Sequence, residues 1–153
     1  MSSVQDEVLR VERSFPAGPE EVFDAWTNPE VLRRWWRADP GWRVPVADVD
    51  LRVGGGYTLS MEDPATGAQH TVTGSYLEVD RPARLVYSWS WVLEDGSRGP
   101  ASTVAVEFRG EAERTTVVLL HSGLPDEGSR ERHGVGWAAC LDTLGTTVFG
   151  GTG

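Results

Sequence analysis

The chain has 153 residues, of which 23 are acidic and 14 are basic, so its formal net charge is −9 at pH 7. This charge argues against binding of nucleic acid or of an anionic membrane surface, because both select a basic protein face. The single cysteine, Cys140, excludes an internal disulfide and a cysteine-rich zinc site. All the basic residues are arginine, which excludes Schiff-base chemistry on a lysine side chain.

The length predicts one domain over residues 1–153. No segment has the apolar core of a signal peptide, and no apolar run is long enough to cross a membrane. We therefore expect a cytoplasmic protein without a membrane partner. A homodimer is compatible with the sequence.

The N-terminal part of the chain predicts one strand and two short helices. Alternation of apolar and polar residues over 8–15 is typical of a strand. Pro19, followed by two glutamates, marks a helix start. Asn28 and Pro29 end that helix and begin a second one over residues 30–36.

Six further strands are predicted between residues 47 and 121, separated by clusters of turn-forming residues. Their connections are too short for parallel crossovers, so the sheet is expected to be antiparallel. The glycine triplet at residues 54–56 could be a phosphate-binding loop or a hairpin turn. Period-two alternation follows it, with Tyr57, Leu59 and Met61 apolar, and this pattern predicts the hairpin turn.

The C-terminal segment returns to helical spacing and predicts a long helix opened by His133. Its apolar stripe, which recurs at i, i+4, i+7/8, i+11 and i+15, consists of His133, Trp137, Cys140, Leu141, Leu144 and Val148. We expect this stripe to pack on the concave side of the sheet. The predicted fold is α+β, with the order β-αα-β6-α.

Five segments of the chain carry a family resemblance: VERSFPAGPEEVFDAWTNPEVLRRWW, DLRVGGGYTLSM, GSYLEVDRPARLVYSWSW, TTVVLLHSGL and HGVGWAACLDTL. In this order they resemble the SRPBCC (START-like, helix-grip) superfamily, in the branch related to the C-terminal domain of the heat shock protein 90 ATPase activator. The resemblance implies the helix-grip fold, a curved antiparallel seven-stranded sheet wrapped around the long C-terminal helix, with an internal cavity.

The resemblance implies several functions, since the superfamily includes lipid transfer, polyketide cyclisation and aromatisation, hormone binding and co-chaperone work. The co-chaperone function is the weaker expectation. Activators of that type have a separate N-terminal chaperone-binding domain, for which this sequence has no residues. Binding of a small hydrophobic molecule, preferably an aromatic one, is the predicted function. A cyclase/aromatase-like or hydrolase-like enzyme acting on such a molecule is the alternative.

Aromatic residues are the main candidates for the binding site. Seven tryptophans are many for this length, and they can fill a core or line a cavity for flat ligands. Alternation over residues 85–91 places Tyr87, Trp89 and Trp91 on one face of a strand, where core packing and cavity lining are equally good explanations. The predicted ligand-binding residues are Trp36, Tyr57, Met61, Tyr87, Trp89, Trp91, Phe108, His121, His133 and Trp137.

Two of these residues, His121 and His133, are the polar candidates. His121 is in register with the inward residues of the last strand, and the resemblance implies that it lies at the cavity end. His133 precedes Trp137 by one helical turn. The two histidines could orient a ligand carbonyl or phenol, act as general acid or base, or serve only as hydrogen-bonding groups of the core.

No catalytic residue, metal or cofactor is predicted. His70, His121 and His133 lack the spacing of a metal-ligand set. Cys140 lies within the apolar stripe, where a thiol is usually a small buried hydrophobe. Arg52 is expected to face solvent or to pair across a hairpin, and the face of Glu78 is open because one register slip reverses it.

Overall fold

The computed structural model describes residues 8–37, 41–111 and 113–149. Within these ranges the chain forms seven strands and three helices, in the predicted order. The elements are β1 (Leu9–Phe15), α1 (Pro19–Thr27), α2 (Pro29–Trp35), β2 (Arg43–Val49), β3 (Gly56–Glu62), β4 (Gln69–Asp80), β5 (Arg84–Trp91), β6 (Ser102–Glu111), β7 (Arg114–Ser122) and α3 (Glu127–Thr147).

The seven strands form one sheet in the order β1-β7-β6-β5-β4-β3-β2. Every neighbouring pair is antiparallel, as the short connections predict. β1 closes the row against β7, with Leu9 opposite His121 and Phe15 opposite Thr115. The sheet curls around α3, and the α+β helix-grip prediction is confirmed.

One asparagine separates the two short helices. Asn28 is the C-cap of α1, and its backbone N–H donates to the carbonyl oxygen of Asp24 at 2.8 Å. It is also the N-cap of α2, because its side-chain oxygen accepts from the backbone N–H of Glu30 at 2.9 Å. Pro29 then occupies the first position of α2, where no N–H is needed.

The long helix begins earlier than predicted. It begins at Glu127 rather than at His133, and the carboxylate of its N-cap, Asp126, accepts from the backbone N–H of Ser129 at 2.7 Å. The first two turns are polar, so the apolar stripe from which the helix was predicted does not extend into them. The stripe itself is inward-facing as expected, since its buried members are Trp137, Cys140, Leu141 and Leu144.

The glycine triplet forms the turn between β2 and β3, as predicted. Gly54 has a positive φ of 87°, which favours glycine, and a Cβ on Gly55 would lie 2.1 Å from the carbonyl oxygen of Asp50. Both glycines also bond the backbone of Tyr76 in β4, at 2.9 Å each. Arg52 pairs with the Asp50 carboxylate within this exposed turn, at 2.9 Å.

A bulge in β4 decides the position of Glu78. The pairing of β4 with β5 shifts register between Tyr76 and Glu78. The Glu78 side chain is 46% exposed and pairs with Arg84 at 3.3 Å, so it does not reach the interior.

The space between sheet and helices is filled at one end. There α1 packs on β6, and a Cβ on Gly110 would lie 2.7 Å from the Pro19 ring. The ring of Phe108 packs against Phe23 and Trp26, with centroid distances of 5.3 and 5.7 Å. The other end of β5 and β6, near Trp89 and Ser102, borders open space.

Candidate functional site

A cavity of about 580 Å³ lies between α3, the end of α2 and the strands β3 to β5. Its volume is within the roughly 300–1,000 Å³ typical of small-molecule sites. Five of the seven tryptophans contribute to its wall. The lining residues are Trp36, Trp42, Met61, His70, Trp89, Trp91, Arg132, His133, Gly136, Trp137 and Cys140.

Trp89 is the centre of the aromatic wall. Its ring centroid lies 5.1 Å from Trp137, 5.4 Å from Trp91 and 6.1 Å from Trp36. These edge-on and tilted contacts are the geometries that aromatic pairs prefer. The indole N–H of Trp89 is buried and has no hydrogen-bond partner in the part of the chain that the structure describes.

The mouth of the cavity is more polar than its wall. Trp42, immediately before β2, stacks on His70 of β4 with 5.7 Å between ring centroids and 14° between planes. His70 and Arg132 are both exposed, so they meet solvent at the edge of the cavity. A ligand in the cavity would therefore contact indole rings inside and polar groups at the rim.

His121 lies fully buried behind the cavity wall. Its Nδ1 accepts from the Trp137 indole N–H at 3.2 Å, so its own proton lies on Nε2, which donates to Ser102 Oγ at 2.8 Å. Burial, with a smaller contribution from nearby His133, lowers the pKa of His121 from 6.5 to about 3. The ring is therefore neutral near pH 7.

His133 has the opposite tautomer. Its Nε2 accepts from the Trp91 indole N–H at 2.9 Å, and the proton on Nδ1 is donated to the carbonyl oxygen of Ser129 at 2.8 Å. The ring centroids of His121 and His133 are 5.1 Å apart, and the two rings meet edge to face.

In both histidines, each ring nitrogen therefore forms a hydrogen bond with another group of the protein. Each accepts one indole N–H and donates its own proton to a serine oxygen. Neither ring keeps a lone pair for a substrate proton or a metal ion. Their visible effect is to fix the orientation of Trp91 and Trp137 in the cavity wall.

The structure brings six of the ten predicted site residues to the cavity: Trp36, Met61, Trp89, Trp91, His133 and Trp137. The other four do not line this cavity. They are Tyr57, Tyr87, Phe108 and His121.

Tyr57, Tyr87 and Phe108 are inward-facing but belong to the packed interior. The Tyr57 hydroxyl donates to the carbonyl oxygen of Ser88 at 2.6 Å, and the Tyr87 hydroxyl accepts from the Trp26 indole at 3.2 Å. Alternation along a strand predicts the face of a side chain. It does not predict which part of that face the helices fill, so it cannot separate these residues from those that line the cavity.

Five lining residues were not predicted: Trp42, His70, Arg132, Gly136 and Cys140. His70 lies directly opposite Met61 in the β3–β4 pair, so the predicted inward position of Met61 could have identified it. Arg132 precedes Gly136 by four residues and shares its helix face. Gly136 has no side chain, and no sequence signal distinguishes it.

Cys140 lines the cavity as a thiol. Burial raises its pKa from 9.0 to about 12, so the nucleophilic thiolate is negligible near pH 7.

Across the described ranges, no three His, Cys, Asp or Glu side chains converge as a metal site would need. None of the described helices is long and apolar enough to span a membrane.

The comparisons with known proteins agree with this architecture. The sequence model of the family described as Activator of Hsp90 ATPase homolog 1-like protein matches residues 16–148. No curated protein matches the chain significantly.

Similar solved structures come from several bacteria. The AHSA1 protein of Silicibacter pomeroyi is 29% identical, with a TM-score of 0.81 over 91% of this chain and 95% of that one. A Chromobacterium violaceum protein is 25% identical, with a TM-score of 0.80 over the same shares. A Rhizobium leguminosarum protein is 28% identical, with a TM-score of 0.68 over 90% of each chain. Because the family model spans most of the sequence, this chain belongs to the family of Activator of Hsp90 ATPase homolog 1-like proteins.

Proposed function

We propose that this protein binds a small, flat, largely apolar molecule, preferably an aromatic one, in the cavity beside α3. The observation that carries the proposal is the wall of five tryptophans around about 580 Å³ of space. Indole rings offer large apolar faces at a low cost in side-chain entropy, and they suit planar ligands.

The energetics limit the affinity to the micromolar range at best. A ligand that buries ~300 Å² of apolar surface gains ~7 kcal/mol before the costs of association. The wall contributes little to those costs, because the indoles of Trp91 and Trp137 are already held by His133 and His121. A preorganised wall leaves few rotamers to be ordered on binding.

The same contacts favour binding over catalysis. A cyclase-like or hydrolase-like enzyme would need a free acid, base or nucleophile at the cavity. His133 has both ring nitrogens engaged, and Cys140 is a protonated thiol. The other lining histidine, His70, lies at the exposed mouth, stacked on Trp42 and away from the enclosed wall. The chaperone-associated alternative rests on the family description alone.

Gly136 provides a direct test. It lines the cavity, and a Cβ at this position would have no atom within 4 Å. Gly136→Leu should project an apolar side chain into the cavity, and it should stabilise α3 by up to about 1 kcal/mol, because leucine is the better helix former. The neighbouring Val135 is 74% exposed and does not line the cavity, so Val135→Leu is the matched control.

The experiment is a fluorescence titration with N-phenyl-1-naphthylamine, a neutral probe with flat aromatic rings. Wild type and Val135→Leu should bind it saturably with similar affinity, whereas Gly136→Leu should bind at least about tenfold more weakly while melting at the same or a higher temperature. Absence of saturable binding by wild type, or full binding by Gly136→Leu, would overturn the proposal. Consumption of an aromatic compound from a metabolite extract by wild type, but not by Gly136→Leu, would show that the protein is an enzyme and not only a binding protein.

A further inference from the structure

We infer that the ligand is a planar aromatic carboxylate, whose ring lies against the tryptophan wall and whose carboxylate pairs with Arg132 at the mouth. This inference rests on the proposed function and adds the polar group of the ligand. Among the described lining residues, Arg132 is the only one with a permanent charge.

Arg132 also differs from most arginines of the chain. Seven others form ion pairs with carboxylates, namely Arg10, Arg13, Arg43, Arg52, Arg81, Arg84 and Arg109. Three more donate to backbone carbonyl oxygens, namely Arg33, Arg34 and Arg37. Arg132 has neither kind of partner among the described residues, although a guanidinium is well suited to bidentate binding of a carboxylate.

Arg132 lies close to the first turn of α3 without forming an ion pair with a described residue there. Its Nη1 lies beside the first turn of α3, 3.3 Å from where a Cβ on Gly128 would be. The nearby Asp126 carboxylate is engaged as the helix cap, accepting from the Ser129 N–H at 2.7 Å. The guanidinium is exposed at the cavity mouth and has no carboxylate partner among the described residues, so it can pair with a ligand there.

The net charge of the protein means that any preference for an anionic ligand must come from Arg132. A net charge of −9 gives no general attraction for anions, so any preference for one must be local. One guanidinium matches the single negative charge of a carboxylate. A phosphate dianion would call for a second cation, and the described lining residues include no other arginine.

The test compares 2-naphthoate with its neutral isostere 2-naphthamide by quenching of tryptophan fluorescence. Arg132→Met removes the charge and keeps an apolar stem. Arg114→Met makes the same change in net charge at the β6–β7 turn, the end of the sheet opposite to Trp89 and His121. The readout is the ratio of the two affinities in each protein.

Wild type and Arg114→Met should prefer the acid about five- to tenfold, and in Arg132→Met the ratio should fall to near one. Equal binding of acid and amide by wild type, or an unchanged ratio in Arg132→Met, would overturn this inference and leave the proposed function intact. Tighter binding of 2-naphthyl phosphate than of the acid would also overturn it. Failure of every naphthalene probe would overturn the proposed function and this inference together.

Discussion

Trp89 and Trp137 are equally buried, each 4% exposed, but their indole N–H groups have different surroundings. The N–H of Trp137 donates to His121, whereas that of Trp89 has no partner among the described residues. Loss of a hydrogen-bonded group leaves its buried partner unsatisfied, while loss of an unpaired donor removes a cost. Two chemically identical substitutions should therefore differ in effect.

We expect Trp137→Phe to destabilise the fold by about 1–3 kcal/mol more than Trp89→Phe, because only the first leaves His121 Nδ1 without a donor. Both changes remove the same side-chain volume from residues that line the cavity, so the hydrogen bond is the chief difference between them. Urea unfolding of the two variants measures it. Equal losses of stability would contradict the hydrogen-bond assignment at His121.

His121 should also make stability depend on pH. Its pKa is lowered from 6.5 to about 3 by burial, so the folded state favours the neutral ring. The folded state has its full stability above pH 6.5, the pKa of the ring in the unfolded chain. It loses stability as the pH falls from there towards 3, because only the unfolded chain then gains a proton. Between pH 7 and pH 5 the expected loss is about 2 kcal/mol.

The measurement is the free energy of unfolding in urea at both pH values, for wild type and for His121→Asn. The variant lacks the titrating ring, so its loss between pH 7 and pH 5 should be smaller by about 2 kcal/mol. An identical pH dependence in the two proteins would show that His121 is not the responsible group.

Among the elements, α3 contributes most to the site, since it supplies Arg132, His133, Gly136, Trp137 and Cys140. Its first turn holds Ser129, whose carbonyl oxygen accepts the His133 proton. The cap at Asp126 therefore supports the cavity wall indirectly, through Ser129, His133 and Trp91.

Asp126→Ala should cost about 1 kcal/mol, the usual effect of removing an N-cap side chain. Hydrogen exchange at residues 127–133 should accelerate, because the first turn frays. Glu131→Ala is the matched control, since Glu131 is exposed on the same helix and has no side-chain partner in the described ranges. A similar effect of both substitutions on stability and exchange would contradict the role of the cap.

The sequence predicts the order of strands and helices better than it predicts what packs against their side chains. Period-two and helical spacing, with proline and glycine signals, identify the order of strands and helices. They miss the start of α3 because its first two turns carry no apolar stripe. They also assign Tyr57 and Phe108 to the cavity, because alternation indicates the face of a strand but not which part of that face is filled by other side chains.

The state of the histidines was also beyond prediction from sequence. His121 and His133 are correctly identified as polar residues of the interior. Whether their nitrogens are free depends on indole groups that are distant in the sequence, at Trp137 and Trp91. Only the folded arrangement shows that both rings are saturated.

In the whole molecule, the interior has a filled end and a hollow end. The filled end, where α1 meets β6, contains the Phe108, Phe23 and Trp26 contacts. The hollow end is bordered by Trp89 and by the exposed rim at Arg132. This division allows side chains around the cavity to change while the packing that maintains the fold is kept.

The three tyrosines of the chain meet in one cluster between these ends. Their ring centroids are 5.2 to 6.1 Å apart. Burial raises the pKa of Tyr57, Tyr76 and Tyr87 above the ordinary value of 10.0, so the folded state disfavours phenolate. The resulting stabilisation is complete below pH 10 and declines as the pH rises further.

An alkaline titration should therefore report unfolding and not the ionisation of single side chains. Phenolate absorbance near 295 nm should stay flat past pH 10 and then rise in one step, together with loss of the far-ultraviolet circular dichroism. A gradual rise centred near pH 10 with intact dichroism would show that the phenols are accessible. Because no tyrosine lies outside the cluster, this absorbance change follows the opening of the protein interior without any added dye.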